Sequence, residues 1–236
     1  APELAPATAP EPDSLDPHAT SGTLTFQGLR NVYDTLVAPN QQGRIEPSLA
    51  TSWETGPDEL KWTFELREGV RFHDGSELTA RDVRATFERI LAEESGSPWK
   101  AEFSSVSRIE TPDRHTVVFH LEKPYAPLLS SLASGWGAIL PAELIAQGHD
   151  FAAEPVGTGP FRMTKWVRDN RIVLEKFDDY WMEDIPKVDQ VNFNIVTEPS
   201  VQVQGLIGGD LHIIDTVLSG DLEVIRNTDD ARLYRQ

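Results

Sequence analysis

The sequence predicts a mixed fold of α-helices and β-strands. Three observations support this class. Apolar residues alternate with polar ones at Trp62, Phe64 and Leu66, the period-2 pattern of a half-buried strand. Apolar residues between Val83 and Leu91 recur at helical intervals. The 236 residues include 39% hydrophobic side chains, enough for the core of one large domain or two modest ones.

The elements of the first half follow from local patterns. The proline-rich start, residues 1–17, predicts extended or flexible chain that leads into a first strand. A helix is predicted from Thr23 to about Val37, and Gly43 breaks the pattern after it. Thr79 and Asp82 have the spacing of a capping box and begin the helix that the apolar residues up to Leu91 continue.

The second half repeats the mixture of strands and helices without a strict alternation. Strands are predicted over residues 116–121, 171–177, 191–196 and 212–215. Helices are predicted over residues 128–132, 142–147 and 199–207, and Ser219 is the expected cap of a last helix over residues 222–225.

Composition excludes several classes of function. Twenty-one Lys and Arg against 38 Asp and Glu give a net charge of -17, which repels phosphate backbones and anionic lipids. Nucleic acid is therefore not an expected partner. Cysteine is absent, which excludes disulfides, thiolate metal sites and cysteine nucleophiles. No apolar run approaches the roughly 20 residues of a transmembrane helix.

Catalytic and metal-binding motifs are also missing. The chain has no G-x-S-x-G elbow, H-E-x-x-H pair, Walker loop or EF-hand spacing. Its six histidines never fall within four residues of one another, so no local pair of metal ligands forms. We therefore expect no catalytic residues, no metal and no cofactor, although ligands brought together from distant positions stay open. Asp178 and Asp179 are either paired carboxylates or, as we favour, solvated turn residues.

Several longer segments resemble one protein family. They are residues 15–18 (LDPH), 33–37 (YDTLV), 47–54 (PSLATSWE), 62–75 (WTFELREGVRFHDG), 78–87 (LTARDVRATF), 155–161 (PVGTGPF) and 178–181 (DDYW). In this order they resemble extracellular solute-binding proteins of the peptide/nickel class, family 5. Those proteins are the receptors of ABC importers for dipeptides, oligopeptides, nickel chelates and some sugars or opines. We expect most motif residues to hold the scaffold rather than the ligand.

The resemblance implies a periplasmic-binding-protein-like fold of class II (cluster C). Residues 1–43 and 155–236 would form a discontinuous first-lobe domain, and residues 44–154 an inserted α+β domain. The second lobe, which closes over the ligand in the family, would be absent from this N-terminal fragment. We therefore expect the fragment alone to fold but to bind its ligand weakly.

The segment Gly157-Thr158-Gly159-Pro160 has two interpretations. Glycine N–H groups can surround a phosphate, but Pro160 removes one donor and no Lys-Ser/Thr follows. A fixed turn next to the ligand, on the return from the inserted domain, is the favoured interpretation. We expect Gly159 to adopt a positive φ there.

The resemblance also implies which residues face a ligand. These residues are Ser21, Gly22, Thr23, Trp99, Ser134, Gly135, Trp136 and Gly137. The first three would offer backbone groups to an extended ligand, as in strand addition. Trp99 would supply an aromatic contact, and residues 134–137 would line the cleft. Both indoles could instead cap the core, and the glycines could equally admit a neighbouring loop.

The function implied is an extracytoplasmic substrate-binding component of an ABC transporter, without enzyme activity. Its partners would be a peptide or another small polar solute and the permease subunits, and the full-length protein would be a monomer. The location would be periplasmic or extracellular, with or without a lipid anchor, after removal of a signal sequence. Two alternatives stay open: a carboxylate-dependent hydrolase and a ligand-free structural module.

Overall fold

The computed structural model describes residues 2–8, 11–215, 217–228 and 231–234. The strands are β1 (Glu3–Leu4), β2 (Ala7–Thr8), β3 (Val37–Pro39), β4 (Ile45–Pro47), β5 (Ala50–Thr55), β6 (Lys61–Leu66), β7 (Val106–Glu110), β8 (Thr116–Leu121), β9 (Phe161–Val167), β10 (Arg171–Lys176) and β11 (Gln190–Ile195). The helices are α1 (Thr23–Leu29), α2 (Ala80–Leu91), α3 (Leu128–Leu132), α4 (Ala142–Ala146), α5 (Pro199–Gly208) and α6 (Leu222–Arg226). Short 3-10 turns cover Glu93–Ser95, Lys100–Phe103 and Gly135–Gly137.

The chain divides into two compact units. The larger unit consists of Asp13–Arg162 and Phe177–Ile185, and the smaller unit of Ala1–Pro12, Met163–Lys176 and Pro186–Gln236. Residues 13–43 therefore pack with the segment that we expected to be inserted. The assignment of 1–43 with 155–236 to one domain, and of 44–154 to another, stays a prediction.

The core of the larger unit lies against an antiparallel sheet with the strand order β5-β6-β8-β7. The predicted alternation in β6 is confirmed, since Trp62, Phe64 and Leu66 are buried. Phe64 and Phe87 each meet Phe119 edge-on, with ring centroids 5.6 and 5.2 Å apart. This aromatic cluster joins the sheet to α2.

The start of α2 has the predicted capping box. One carboxylate oxygen of Asp82 accepts hydrogen bonds from the Thr79 backbone N–H at 2.7 Å and from the Thr79 hydroxyl at 2.8 Å. The other oxygen accepts from the backbone N–H of Ala142 at 2.8 Å. Asp82 therefore fixes the beginnings of both α2 and α4.

The smaller unit contains a mixed sheet in which β11 pairs with β10 antiparallel and with β1 and β2 parallel. The proline-rich start thus contributes two short strands, since extended backbone is what its prolines favour. The Trp166 indole N–H donates to the Glu11 carboxylate at 2.9 Å. The Arg168 guanidinium lies 3.4 Å from the Trp166 ring centroid, a cation–π contact.

Three local predictions were wrong. The first helix ends at Leu29 instead of continuing to Val37, because the Asn31 side chain donates to two of its last carbonyls at 3.1 Å each. In place of a strand over residues 212–215, the structure has an isolated bridge between Pro6 and Ile213. The last helix follows Asp221 rather than Ser219.

Candidate functional site

The loop before α1 presents the first predicted ligand residues. Ser21 and Thr23 are exposed, and their backbone N–H groups make no hydrogen bond within the described part of the chain. Gly22 differs, because its N–H donates to the Thr20 hydroxyl at 3.1 Å and its carbonyl accepts from Phe26 at 3.3 Å. Two of the three predicted residues therefore keep free donors.

The two tryptophans predicted to contact ligand meet each other. The indoles of Trp99 and Trp136 stack with centroids 4.0 Å apart and an angle of 10° between their planes. Phe26 of α1 contacts both edge-on, at 5.9 Å in each case. The Trp99 indole N–H donates to the Thr20 carbonyl at 2.8 Å, which ties the pair to the loop before α1. Both indoles are half-buried against the core of the larger unit.

The glycines around Trp136 are required by neighbouring protein atoms. A Cβ on Gly135 would lie 2.4 Å from the Phe26 ring, and a Cβ on Gly137 would lie 2.7 Å from the Leu132 carbonyl oxygen. The Ser134 hydroxyl donates to the Ser130 carbonyl at 2.8 Å. Contacts within the protein therefore account for glycine at positions 135 and 137 and for the orientation of the Ser134 hydroxyl. Contact of Ser134, Gly135 and Gly137 with a ligand stays a prediction.

A buried network of charged and polar groups lies beneath this loop. Arg89 of α2 binds both carboxylate oxygens of Asp16, at 3.1 and 2.5 Å, and approaches Nδ1 of His18 at 2.8 Å. Nε2 of His18 lies 3.0 Å from the carbonyl oxygen of Ala138. The Ser97 hydroxyl donates to the His18 carbonyl at 2.7 Å.

The network fixes the charge of its members. Burial lowers the pKa of His18 to about 4, and the charge of Arg89 acts in the same direction, so the imidazole is neutral. Burial alone would raise the pKa of Asp16, but the hydrogen bond and the charge of Arg89 outweigh it and lower that pKa. Asp16 and Arg89 therefore form a partly buried ion pair with a neutral histidine beside it.

A second buried cluster joins three of the sequence motifs. The Asp34 carboxylate accepts hydrogen bonds from the Trp181 indole at 2.9 Å, the Thr158 hydroxyl at 3.0 Å and the Tyr180 hydroxyl at 3.3 Å. Burial raises the pKa of Asp34 to about 6, although the three donors oppose this shift. Arg67 covers the Trp181 ring at 4.4 Å. These motif residues therefore hold the scaffold of the larger unit together.

The segment Gly157-Thr158-Gly159-Pro160 lies against backbone. A Cβ on Gly157 or Gly159 would lie 2.2 or 2.7 Å from the Val32 carbonyl oxygen. The expectation of a positive φ at Gly159 was wrong, because close approach to another segment is what requires glycine here. His73 binds this segment on its other side, with Nε2 2.9 Å from the Gly159 carbonyl oxygen. Burial lowers the pKa of His73 to about 4.

A groove of about 520 Å³ opens between α2 and α4. It contains none of the eight predicted ligand residues, but Arg89 and His18 form part of its wall. Two ion pairs lie along it, Arg84 with Glu88 at 3.7 Å and Arg81 with Glu143 at 3.6 Å. Glu94 is also exposed on its wall and makes no ion pair within the described part of the chain.

Among the described residues, no group of three or more histidine or acidic side chains could hold a metal ion. Over the same ranges, no helix combines the length and apolar character needed to cross a membrane.

Comparison with protein families identifies the chain. Residues 44–236 match the family model described as "Bacterial extracellular solute-binding proteins, family 5 Middle". The chain belongs to this family. Among curated family 5 relatives, the di/tripeptide-binding protein 2 of Pseudomonas aeruginosa (strain UCBPP-PA14) is 32% identical, over 94% of this chain and 46% of the relative. The chain thus spans about half the length of the curated relatives it matches.

Solved structures of family 5 proteins have the same fold. The binding protein AgaA of A. tumefaciens R10, in complex with agropinic acid, superposes with a TM-score of 0.91 at 36% identity, over 96% of this chain and 46% of AgaA. The ABC transporter-associated periplasmic binding protein DppA of Helicobacter pylori, in complex with the peptide STSA, gives a TM-score of 0.89 at 31% identity, over 96% of this chain and 49% of DppA. The predicted mixed α/β class and the family resemblance are confirmed.

Sequence reasoning missed three residues that contact the predicted ligand residues or the LDPH segment beside them. Phe26 contacts both tryptophans, Thr20 accepts the Trp99 hydrogen bond, and Arg89 binds the LDPH segment. The signal available for Arg89 was its place on α2, seven residues after the buried Asp82 and three after the buried Thr86, which puts it on the same helix face. A charged residue beside a buried face needs a partner, but the sequence does not say which acid supplies it.

Proposed function

We propose that this chain is part of an extracytoplasmic binding protein that captures a peptide or another small polar solute for an ABC permease, without catalysing a reaction. Family 5 membership supports the class of binding protein. The names of two relatives support a peptide ligand, since one is a di/tripeptide-binding protein and the other was solved with the peptide STSA.

The observation that carries this proposal is the convergence of two chemistries in the larger unit. The free N–H groups of Ser21 and Thr23 belong to the same loop that receives the Trp99 indole hydrogen bond. Main-chain donors bind an extended peptide without regard to its side chains, and a fixed aromatic stack gives one broad contact. This combination suits a binding protein for varied small peptides.

The geometry gives no support to a carboxylate-dependent hydrolase. The three aspartates described above are occupied, Asp34 by three donors, Asp16 by Arg89, and Asp82 by Thr79 and Ala142. A general acid or nucleophile has to reach a substrate, whereas these carboxylates face protein groups. A protein without enzyme activity fits this arrangement.

The remaining parts of the proposal concern the whole protein. We infer a periplasmic location, since one relative is named "Probable D,D-dipeptide-binding periplasmic protein DdpA" and DppA is a periplasmic binding protein associated with an ABC transporter. The partners would be the permease subunits. The net charge of -17 does not favour nucleic acid as a partner, and the working form would be a monomer.

Calorimetry on the whole natural protein tests the ligand class. The peptide Ser-Thr-Ser-Ala and the dipeptide Ala-Ala are the probes, and we expect at least one to bind. Trp99→Ala should weaken that binding by about 1 to 3 kcal/mol, the range of an aromatic hot spot. Trp53→Ala, a half-buried tryptophan of β5, is the matched control and should leave the affinity unchanged.

Two results would contradict the proposal of a peptide ligand. One is that neither peptide binds while the native mass spectrum shows a copurified small molecule of another class. The other is an equal loss of affinity in Trp99→Ala and Trp53→Ala, which would mean that stability rather than the aromatic contact determines binding.

A further inference from the structure

We propose that Arg89 is a positioning residue of the ligand site. Through His18, it holds the Ser21–Thr23 loop and the Gly135–Gly137 turn, which carries Trp136, in a fixed relative position. This inference rests on the proposed function, because it assigns a role within the same site. It concerns a residue of α2 that is itself 27% exposed and touches none of the eight predicted ligand residues directly.

The first step is the binding of Asp16 and His18 by Arg89. Its guanidinium makes two parallel contacts with Asp16, at 3.1 and 2.5 Å, and a third with His18 at 2.8 Å. A planar fork with several donors can serve a carboxylate and an imidazole at once. Lysine has a single charged centre and cannot reproduce these three contacts.

The second step is the proton arrangement of His18. Arg89 can only donate, so Nδ1 of His18 has to accept and the ring proton lies on Nε2. Nε2 then donates to the carbonyl of Ala138 at 3.0 Å. Arg89 thus selects the tautomer that can bind Ala138.

The third step connects the two walls of the site. Ala138 directly follows the turn Gly135–Gly137, which carries Trp136. On the other side, His18 lies two residues before Thr20, whose carbonyl holds the Trp99 indole. The two stacked indoles are therefore supported from one network, with Arg89 at its base.

The consequence for function is preorganisation. A ligand that contacts both the loop and the aromatic stack benefits when their relative position is fixed before it binds. Loss of Arg89 should leave the contact residues in place but let the two walls move independently. Affinity should fall although no ligand contact has been removed.

Indole NMR on the whole natural protein, labelled with ¹⁵N-tryptophan, tests this inference without a ligand. Arg89→Lys should shift the N–H signals of Trp99 and Trp136. His18→Leu keeps the Asp16–Arg89 ion pair and should shift the same two signals, which provides a test if Arg89→Lys does not fold. His18→Gln can accept at one atom and donate at another, so it should restore both signals towards their wild-type positions.

Phe64→Leu is the control for a general loss of stability. Phe64 is fully buried and lies 6.5 Å from the Trp53 ring, so the variant should shift the Trp53 signal and leave those of Trp99 and Trp136 in place. Equal shifts of Trp99 and Trp136 in Phe64→Leu would overturn the proposal. An unmoved Trp136 signal in His18→Leu would overturn it as well.

Binding of Ser-Thr-Ser-Ala adds a functional measurement. Where the wild type binds this peptide, Arg89→Lys should bind it about tenfold more weakly, equal to about 1.4 kcal/mol. An unchanged affinity would overturn the positioning role. If the wild type binds neither probe peptide, the proposed peptide function fails, and the indole signals still decide whether Arg89 positions the two walls.

Discussion

Trp99 and Trp136 differ by one hydrogen bond although they stack on each other. The Trp99 N–H donates to the Thr20 carbonyl at 2.8 Å. The Trp136 N–H is buried and has no partner among the described residues. A buried donor without a partner costs about 1 to 3 kcal/mol. The same side chain therefore stabilises the fold more at position 99 than at position 136.

Phenylalanine substitutions measure this difference. Trp99→Phe removes a satisfied donor and leaves the Thr20 carbonyl unpaired, whereas Trp136→Phe removes an unsatisfied donor. We expect Trp99→Phe to reduce the free energy of unfolding by about 1 to 2 kcal/mol more than Trp136→Phe does. Urea unfolding measures both, and a larger loss in Trp136→Phe would contradict the prediction.

Close packing against the Val32 backbone requires glycine at position 159. In Gly159→Ala the new Cβ would lie 2.5 Å from the carbonyl carbon of Val32, and backbone cannot move aside as a side chain can. We expect a loss of about 1 to 3 kcal/mol in the free energy of unfolding. Urea unfolding of the purified chain is the measurement.

Gly28 supplies the matched control for Gly159. It lies within α1, and a Cβ there would meet nothing within 4 Å. Gly28→Ala should therefore stabilise the chain by up to about 1 kcal/mol, the helix propensity of alanine over glycine. Equal effects of the two substitutions would show that close approach to Val32 is not what requires Gly159.

At the scale of elements, Asp82 determines where two helices begin. Its carboxylate accepts two hydrogen bonds from Thr79 and one from Ala142, so α2 and α4 share one acid. A neutral amide cannot accept at both of its terminal atoms. Asparagine can therefore serve the start of one helix but not of both.

Asp82→Asn should reduce the free energy of unfolding by about 1 to 3 kcal/mol, the cost of leaving buried donors unpaired. Glu88→Gln, an exposed site on α2 whose ion pair with Arg84 spans 3.7 Å, should change it by less than about 0.5 kcal/mol. Chemical denaturation followed by circular dichroism measures both variants. Similar losses in the two would rule out a special role for Asp82.

Elements with strong local patterns could be predicted from the sequence. β6, β8 and α2 were found because alternation, helical spacing and a capping box all lie within a few residues. The end of α1 was not found, because Leu36 and Val37 continue an apolar run while the Asn31 amide takes the carbonyls. A side chain that caps a helix can end it even where apolar residues continue beyond that point. The apolar pattern alone therefore does not show where such a helix ends.

The candidate site could be predicted only through the resemblance, and only in part. Arg89 and Asp16 are 73 residues apart, and Trp99 and Thr20 are 79 apart, so no local pattern pairs them. The motifs marked segments that meet in the structure, but they did not indicate which residues of those segments make contact. Asp34 and Trp181 are 147 residues apart in the sequence. They make contact only because the fold brings the segments of residues 33–37 and 178–181 together.

At the scale of the whole molecule, three buried titratable groups make stability depend on pH between about pH 7 and pH 4. His18 and His73 have pKa values lowered to about 4, below the ordinary 6.5. Their contribution to stability is complete above pH 6.5 and is lost as the pH falls towards 4. Asp34 acts in the opposite direction, because its pKa is raised from 3.8 to about 6. Its contribution is complete below pH 3.8 and is lost as the pH rises through 6.

The balance of these groups predicts a net loss of stability on acidification. Between pH 7 and pH 4.5 acidification reduces the stabilising contribution of the two histidines and increases that of Asp34. Each pKa shift corresponds to about 3 kcal/mol in the free energy of unfolding over its full pH range. His73→Gln removes one titrating histidine while glutamine can still donate to the Gly159 carbonyl, so the loss between these pH values should shrink. Asp34→Asn removes the opposing group, so the loss should grow. Urea unfolding at both pH values gives the three differences, and an acid loss that is the same in wild type and His73→Gln would refute this assignment.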